Sequence, residues 1–234
     1  QARLYNLKAS LRKDQRQFED ALQLRDRAIA IYKKLEDWQS LGMTFNNKGS
    51  DYLEMGEPEA AIVCLRQAIP LLDQDIEPRA VLAAHHNLVL ALLFQDRALE
   101  ASDVFSRVED RYGKDLWSQT RRDWLRGRIA AGLGQLDQAE RAFRAARGKY
   151  QERQIAYDFA LVSLDLALVH LRTGQTSQVK RLASEMIPIF ESRQIHREAL
   201  AALTLFRQAV EQETVTVDSL RKIIAQLEKA PRKA

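Results

Sequence analysis

The stretch NNKGSDYLEMGEPEAAIVCLRQA, Asn46 to Ala68, sets two glycines, Gly49 and Gly56, inside an otherwise helical pattern. A glycine in a helix interior costs about 1 kcal/mol against alanine, so each needs a reason. Gly49 asks for close packing and Gly56 for a turn. A pair that recurs at fixed spacing makes that reason architectural.

Small residues do recur. Ala21, Ala61, Ala101, Ala139 and Val179 follow one another at intervals of 40, 40, 38 and 40. Seven residues after each stands Ala28, Ala68, Val108, Ala146 or Met186, and four after stands Arg25, Leu65, Phe105, Phe143 or Ala183. Four and seven are same-face spacings on a helix. Five before the later four anchors come Gly56, Asp96, Gly134 and Gly174, residue types that adopt the left-handed conformation ending a helix. Twelve before them come Gly49, Val89, Gly127 and Ala167, mostly small, as closely packed antiparallel helices require. Tyr32, Leu72, Tyr112, Tyr150 and Phe190 keep the same register, and RQI at 153–155 returns at 193–195. The pattern predicts helix pairs near 2–37, 39–76, 79–113, 117–152, 156–193 and 197–230, with degenerate first and last pairs acting as caps. No Pro/Gly/Ser-rich linker interrupts the 234 residues, so a single domain over 1–230 with a basic tail at 231–234 is expected.

FNNKGSDYLEMGEPEAAIVCLRQA at 45–68, HHNLVLALLFQDRALEASDVFSRV at 85–108 and GRIAAGLGQLDQAERAFRAA at 127–146 resemble the tetratricopeptide repeat family. The family's closing proline is missing, and the period exceeds its usual length of about 34 residues. The resemblance implies an all-α, right-handed superhelical solenoid of about six hairpins, with first helices lining a concave face. It also implies a binding role for proteins or peptides. Similar elongated repeats occur in bacterial peptide-sensing regulators and cargo-binding adaptors.

Chemistry-bearing motifs are few. There is no Gly-rich phosphate loop, no Gly-x-Ser-x-Gly elbow and no His-Glu-x-x-His, so no enzyme activity, cofactor or metal is expected. Neighbours such as His85 and His86 point about 100° apart on a helix and do not chelate one ion. His85 is expected in the hairpin and His86 toward the groove. Cys64, the single cysteine, reads as a buried inert thiol and excludes a disulfide framework, which suits a cytoplasmic setting. No apolar run reaches membrane-span length and no signal peptide is visible. The chain begins at Gln1, which leaves room for a preceding catalytic or DNA-binding domain.

TRRDWLRGR at 120–128 concentrates four arginines around one tryptophan. It reads as a solvated face paired with acids such as Asp123, as a site for a carboxylate-bearing protein ligand, or as a nucleic-acid clamp, the last disfavoured by a net charge of only +4. Superposing repeats aligns Asn46, His86, Trp124 and Leu164, with Met43, Ala83, Arg121 and Leu161 three residues earlier and Ser50, Leu90, Arg128 and Leu168 four later. In the family such rows face the groove. The expected binding residues are therefore Asn46, Ser50, His86, Arg121, Trp124 and Arg128, for a partner with an acidic group and an apolar flank. FALVSLDLALVHLRTG at 159–174 is apolar all round and must be covered, by the final hairpin through ALAALTLFRQAV or by a second subunit. A monomer is expected, with a homodimer as the alternative. The functional expectation is a non-catalytic interaction scaffold, the sensor or partner-binding part of a larger bacterial regulatory protein. A nucleic-acid-binding repeat and a regulatory fragment of an enzyme are the alternatives.

Overall fold

Helix ends come first in explaining this fold, because they repeat. In a computed structural model of the chain, residues 1–191 and 197–229 are described, and these are helical apart from short connections. The second RQI at 193–195 and the basic tail at 231–234 lie outside the described residues. The chain forms two compact units, Gln1–Tyr112 and Gly113–Ala234. The first contains α1 (Ala2–Asp14), α2 (Phe18–Lys34), α3 (Trp38–Met55), α4 (Pro58–Ala68), α5 (Pro78–Phe94) and α6 (Ala98–Ser106). The second contains α7 (Leu116–Gly132), α8 (Leu136–Glu152), α9 (Ala156–Arg172), α10 (Thr176–Glu191), α11 (Arg197–Glu211) and α12 (Val217–Lys229).

Gly56, Gly134, Gly174 and Asp96, expected at turns, all have positive φ. The sequence does not announce the other residues that share this conformation: Arg16, Glu36, Gln154 and Glu213. Positions 16, 36 and 56, and again 134, 154 and 174, fall 20 residues apart. The 40-residue period is thus two equal half-repeats, each one helix plus one turn. At each of these ends the amide after the left-handed residue donates to the carbonyl five residues back, as Glu57 to Tyr52 and Ile155 to Tyr150. That bond satisfies a helix-end carbonyl and explains why Glu or Gln serves where Gly would be easier. Asp37 and Asp115 cap α3 and α7 by accepting from the Ser40 and Ser118 amides.

Packing supplies the reason for Gly49. A Cβ built on it would lie 2.7 Å from Leu65 Cγ, and one on Gly127 would lie 2.6 Å from Phe143 Cε1. These are the hairpin contacts between α3 and α4 and between α7 and α8. The first unit buries Ile29, Tyr32, Leu41, Phe45, Leu72 and Val81. The second buries Phe143, Tyr150, Phe159, Leu182, Phe206 and the inner face of α12.

The apolar helix α9 is covered within its own chain, yet not as expected. α12 packs on it beside α8 and α10, whereas α11 packs on α10 and α12. In earlier hairpins the first helices are neighbours, α3 beside α5 and α7 beside α9. The final hairpin is therefore turned over, so that its second helix takes the place beside α9. The free edge of α9 needs an apolar stripe, and α12 offers Leu220, Ile223, Ile224 and Leu227, all buried.

His170, near the end of α9, is fully buried. Burial, with Arg144 and Arg181 adding to it and Glu140 and Gln175 opposing, holds its pKa below the usual imidazole range. Burial, aided by Arg111 and Arg107 and opposed by the Val81 carbonyl, moves His85 the same way. The unfolded chain takes up these protons near pH 6.5 and the folded chain only at lower pH. Stability is accordingly full above about pH 6.5 and declines as pH falls toward the folded values. Urea midpoints between pH 7.5 and 5 should show this slope, and His170→Leu should flatten part of it. An unchanged slope in that variant would remove His170 from the account.

Candidate functional site

Among the described residues no three His, Cys, Asp or Glu side chains converge on a metal position, and no described helix is long and apolar enough to cross a membrane. Cys64 is buried and its thiol pKa is pushed up by that burial, with neighbouring Lys48 opposing. A raised thiol pKa means little thiolate and little reactivity.

Within the first unit, Asn46 and Ser50 are partly exposed on α3. Asn46 accepts a hydrogen bond from the Asn87 side chain of α5 at 3.3 Å. Of the two histidines, His86 departs from its expected place toward the groove. His86 is buried and shares a 2.8 Å hydrogen bond with the Tyr112 hydroxyl. His85 is half-buried, its Nδ1 2.8 Å from the Val81 carbonyl, beside a cavity that Arg66, Glu100 and Arg107 also line. The reason is Tyr112: its ring follows the short 3-10 turn Glu109–Arg111 back toward α5 and stacks at an angle on Phe105, which places its hydroxyl within reach of His86.

The second unit brings together Trp124 and Arg128, as the three- and four-residue spacing predicts. The guanidinium of Arg128 lies 5.8 Å from the centre of the Trp124 ring, while Trp124 also meets Tyr150 edge-on. Arg121 is partly exposed one turn earlier on α7. The sequence reading missed the acids that meet this pair. Trp124 Nε1 donates to Asp165 of α9 at 2.7 Å, and Arg128 Nε stands 3.6 Å from the same Asp165 oxygen. Arg128 Nη1 donates to Glu228 of α12 at 2.8 Å. The Tyr157 hydroxyl of α9 donates to the Leu227 carbonyl beside it. Burial raises the Asp165 carboxyl pKa, against the pull of Arg128 and the Trp124 hydrogen bond.

The remaining arginines of this cluster are engaged with acids. Asp123 meets Arg122, Arg126 and Lys149 at 3.2, 3.6 and 3.1 Å. A signal for Asp165 was present in the sequence: it is the single carboxylate of the apolar run 159–174, and a buried carboxylate requires a counter-charge. Nothing comparable marked Glu228, which lies 100 residues from its partner.

Helix α12 therefore touches α7 and α9 at once. Leu161 and Leu164, expected along the groove, are buried in the core that includes α12. In this unit the face shared by the first helices carries a helix whose carboxylate is held by Arg128 beside Trp124.

Residues 1–74 match the family model described as tetratricopeptide repeat. Comparison with curated proteins finds no match. Among solved structures the chain is similar to a Rap protein complexed with Competence and Sporulation Factor, at 13% identity and a TM-score of 0.71. The alignment covers 94% of this chain and 61% of that one, so the chain spans about three fifths of that protein's length. At such identity the likeness concerns the fold. The likeness to tetratricopeptide repeats is thus one of sequence over residues 1–74 and one of helix-hairpin fold over nearly the whole chain.

Proposed function

We propose that the chain is a non-catalytic interaction scaffold that takes a protein or peptide partner on the face of its first helices. In the second unit that face carries Arg121, Trp124 and Arg128; in the first unit, taken by itself, the first helix α3 carries Asn46 and Ser50, while His86 supports the hairpin through Tyr112. The observation that carries this reading is the Arg128–Glu228 contact flanked by Trp124, a contact within the chain that supports a face able to hold a carboxylate on an apolar helix. The likeness to a Rap protein solved with Competence and Sporulation Factor supports a binding role. A cytoplasmic monomer within a larger bacterial regulatory protein is the setting we assign. Nucleic acid is the weaker reading, since Arg122, Arg126 and Arg128 already pair with acids.

Arg121→Glu tests the site without breaking the buried pair at Arg128. The variant should keep the helical circular dichroism of the wild type and lose the partner that the wild type captures. Capture of the same partner at the same affinity would refute the assignment. A steep fall with salt in affinity for arbitrary DNA or RNA would instead favour the nucleic-acid reading.

A further inference from the structure

One candidate groove residue of the second unit, Arg128, is already engaged by a helix of the same chain, α12. Helix α12 presents one apolar stripe, Leu220, Ile223, Ile224 and Leu227, with Asp218, Arg221, Lys222 and Gln226 exposed on the other side. Its start is self-capped: Ser219 N–H donates to Thr216 Oγ1 and Thr216 N–H to Ser219 Oγ. A five-residue connection, 212–216, separates it from α11. Its placement across α7 and α9 is a departure from the order of the earlier hairpins. Its carboxylate, Glu228, stands where an acidic partner would be held.

We propose that α12 is a displaceable occupant of the α7–α9 face, and that the partner of this face is an amphipathic helix bearing a carboxylate where α12 bears Glu228. This inference rests on the interaction reading above and names its ligand class. A partner using Arg128 and Trp124 must compete with α12, because both side chains are engaged with it or with Asp165. A tethered helix acts at an effective concentration of order millimolar. A free helix with the same contacts therefore binds poorly until the tethered one is weakened. Exchange of one such helix for another keeps Arg128 between two carboxylates, whereas departure of α12 alone would leave it with Asp165 only.

The probe is a fluorescent synthetic peptide of residues 215–229, titrated against the full chain. Wild type should bind it weakly. Glu228→Lys, which weakens the tethered helix while leaving the peptide's own glutamate, should bind it about tenfold or more tightly. Adding Arg128→Gln to Glu228→Lys removes the cation that the peptide's glutamate would meet and should return binding to the wild-type level. Glu228→Gln, which keeps the shape, guards against misfolding and should fall between. Equal weak binding by the wild type and both single variants, with helical circular dichroism retained, would overturn the proposal. So would a Glu228→Lys dimer in place of peptide binding, which would mean helix exchange between copies. Loss of partner capture in Arg121→Glu with no peptide binding in Glu228→Lys would leave the interaction reading standing and remove this one alone.

Discussion

Asp51→Ala is expected to destabilise the first unit by about 3–5 kcal/mol, the cost of stranding a buried charge. Arg25 of α2 and Asp51 of α3 meet at 3.0 Å with side chains 3% and 1% exposed. The guanidinium also donates to the Asn6 carbonyl and to Ser10 Oγ of α1, and Asn6 in turn donates to Thr44 of α3. The cluster therefore ties three helices together. Burial raises the Asp51 carboxyl pKa even though Arg25 pulls it down, which marks how strongly this position is desolvated. A paired replacement removes both charges, so Arg25→Met with Asp51→Leu should recover most of the loss. Urea denaturation decides it. A single-variant loss below about 1 kcal/mol, the range of an exposed pair, would show that water reaches the cluster.

Gly127→Leu is expected to cost about 3 kcal/mol or more, at the upper end of overpacking. A Cβ at this position already comes within 2.6 and 2.8 Å of two Phe143 ring carbons and 3.1 Å of Ala142 Cβ. Phe143 is 1% exposed, so its ring has nowhere to move and α7 must separate from α8. Gly148, inside α8, is the contrast. A Cβ there meets nothing within 4 Å, and Gly148→Ala should stabilise by about 1 kcal/mol through helix propensity. An unchanged denaturation midpoint in Gly127→Leu would contradict the close approach of this hairpin.

Arg25 shows where sequence reading reached and where it stopped. Its column otherwise contains Leu65, Phe105, Phe143 and Ala183, so its burial was legible from the repeat register alone. Its partner was not, because Asp51 sits in a column where other repeats carry Ala91, Ile129 and Val169. The same division holds at Trp124 and Arg128: their adjacency follows from spacing along one helix, while Asp165 and Glu228 come from two others.

By itself the sequence determined the helix pairs, the glycine contacts at Gly49 and Gly127, and the turns at Gly56, Asp96, Gly134 and Gly174. Each of these depends on backbone sterics or on neighbours within one hairpin, and such constraints repeat with the chain's own period. The left-handed turns at Glu36 and Gln154 escaped notice because a helix-end hydrogen bond, not residue type, holds them there. Only the tertiary structure decided that α12 and not α11 would lie on α9. Both helices are amphipathic, and periodicity cannot rank two stripes for one surface. The choice rests on Leu220, Ile223, Ile224 and Leu227 closing the apolar edge of α9 while Glu228 reaches Arg128. That combination of burial and charge exists only once α7, α9 and α12 are packed together.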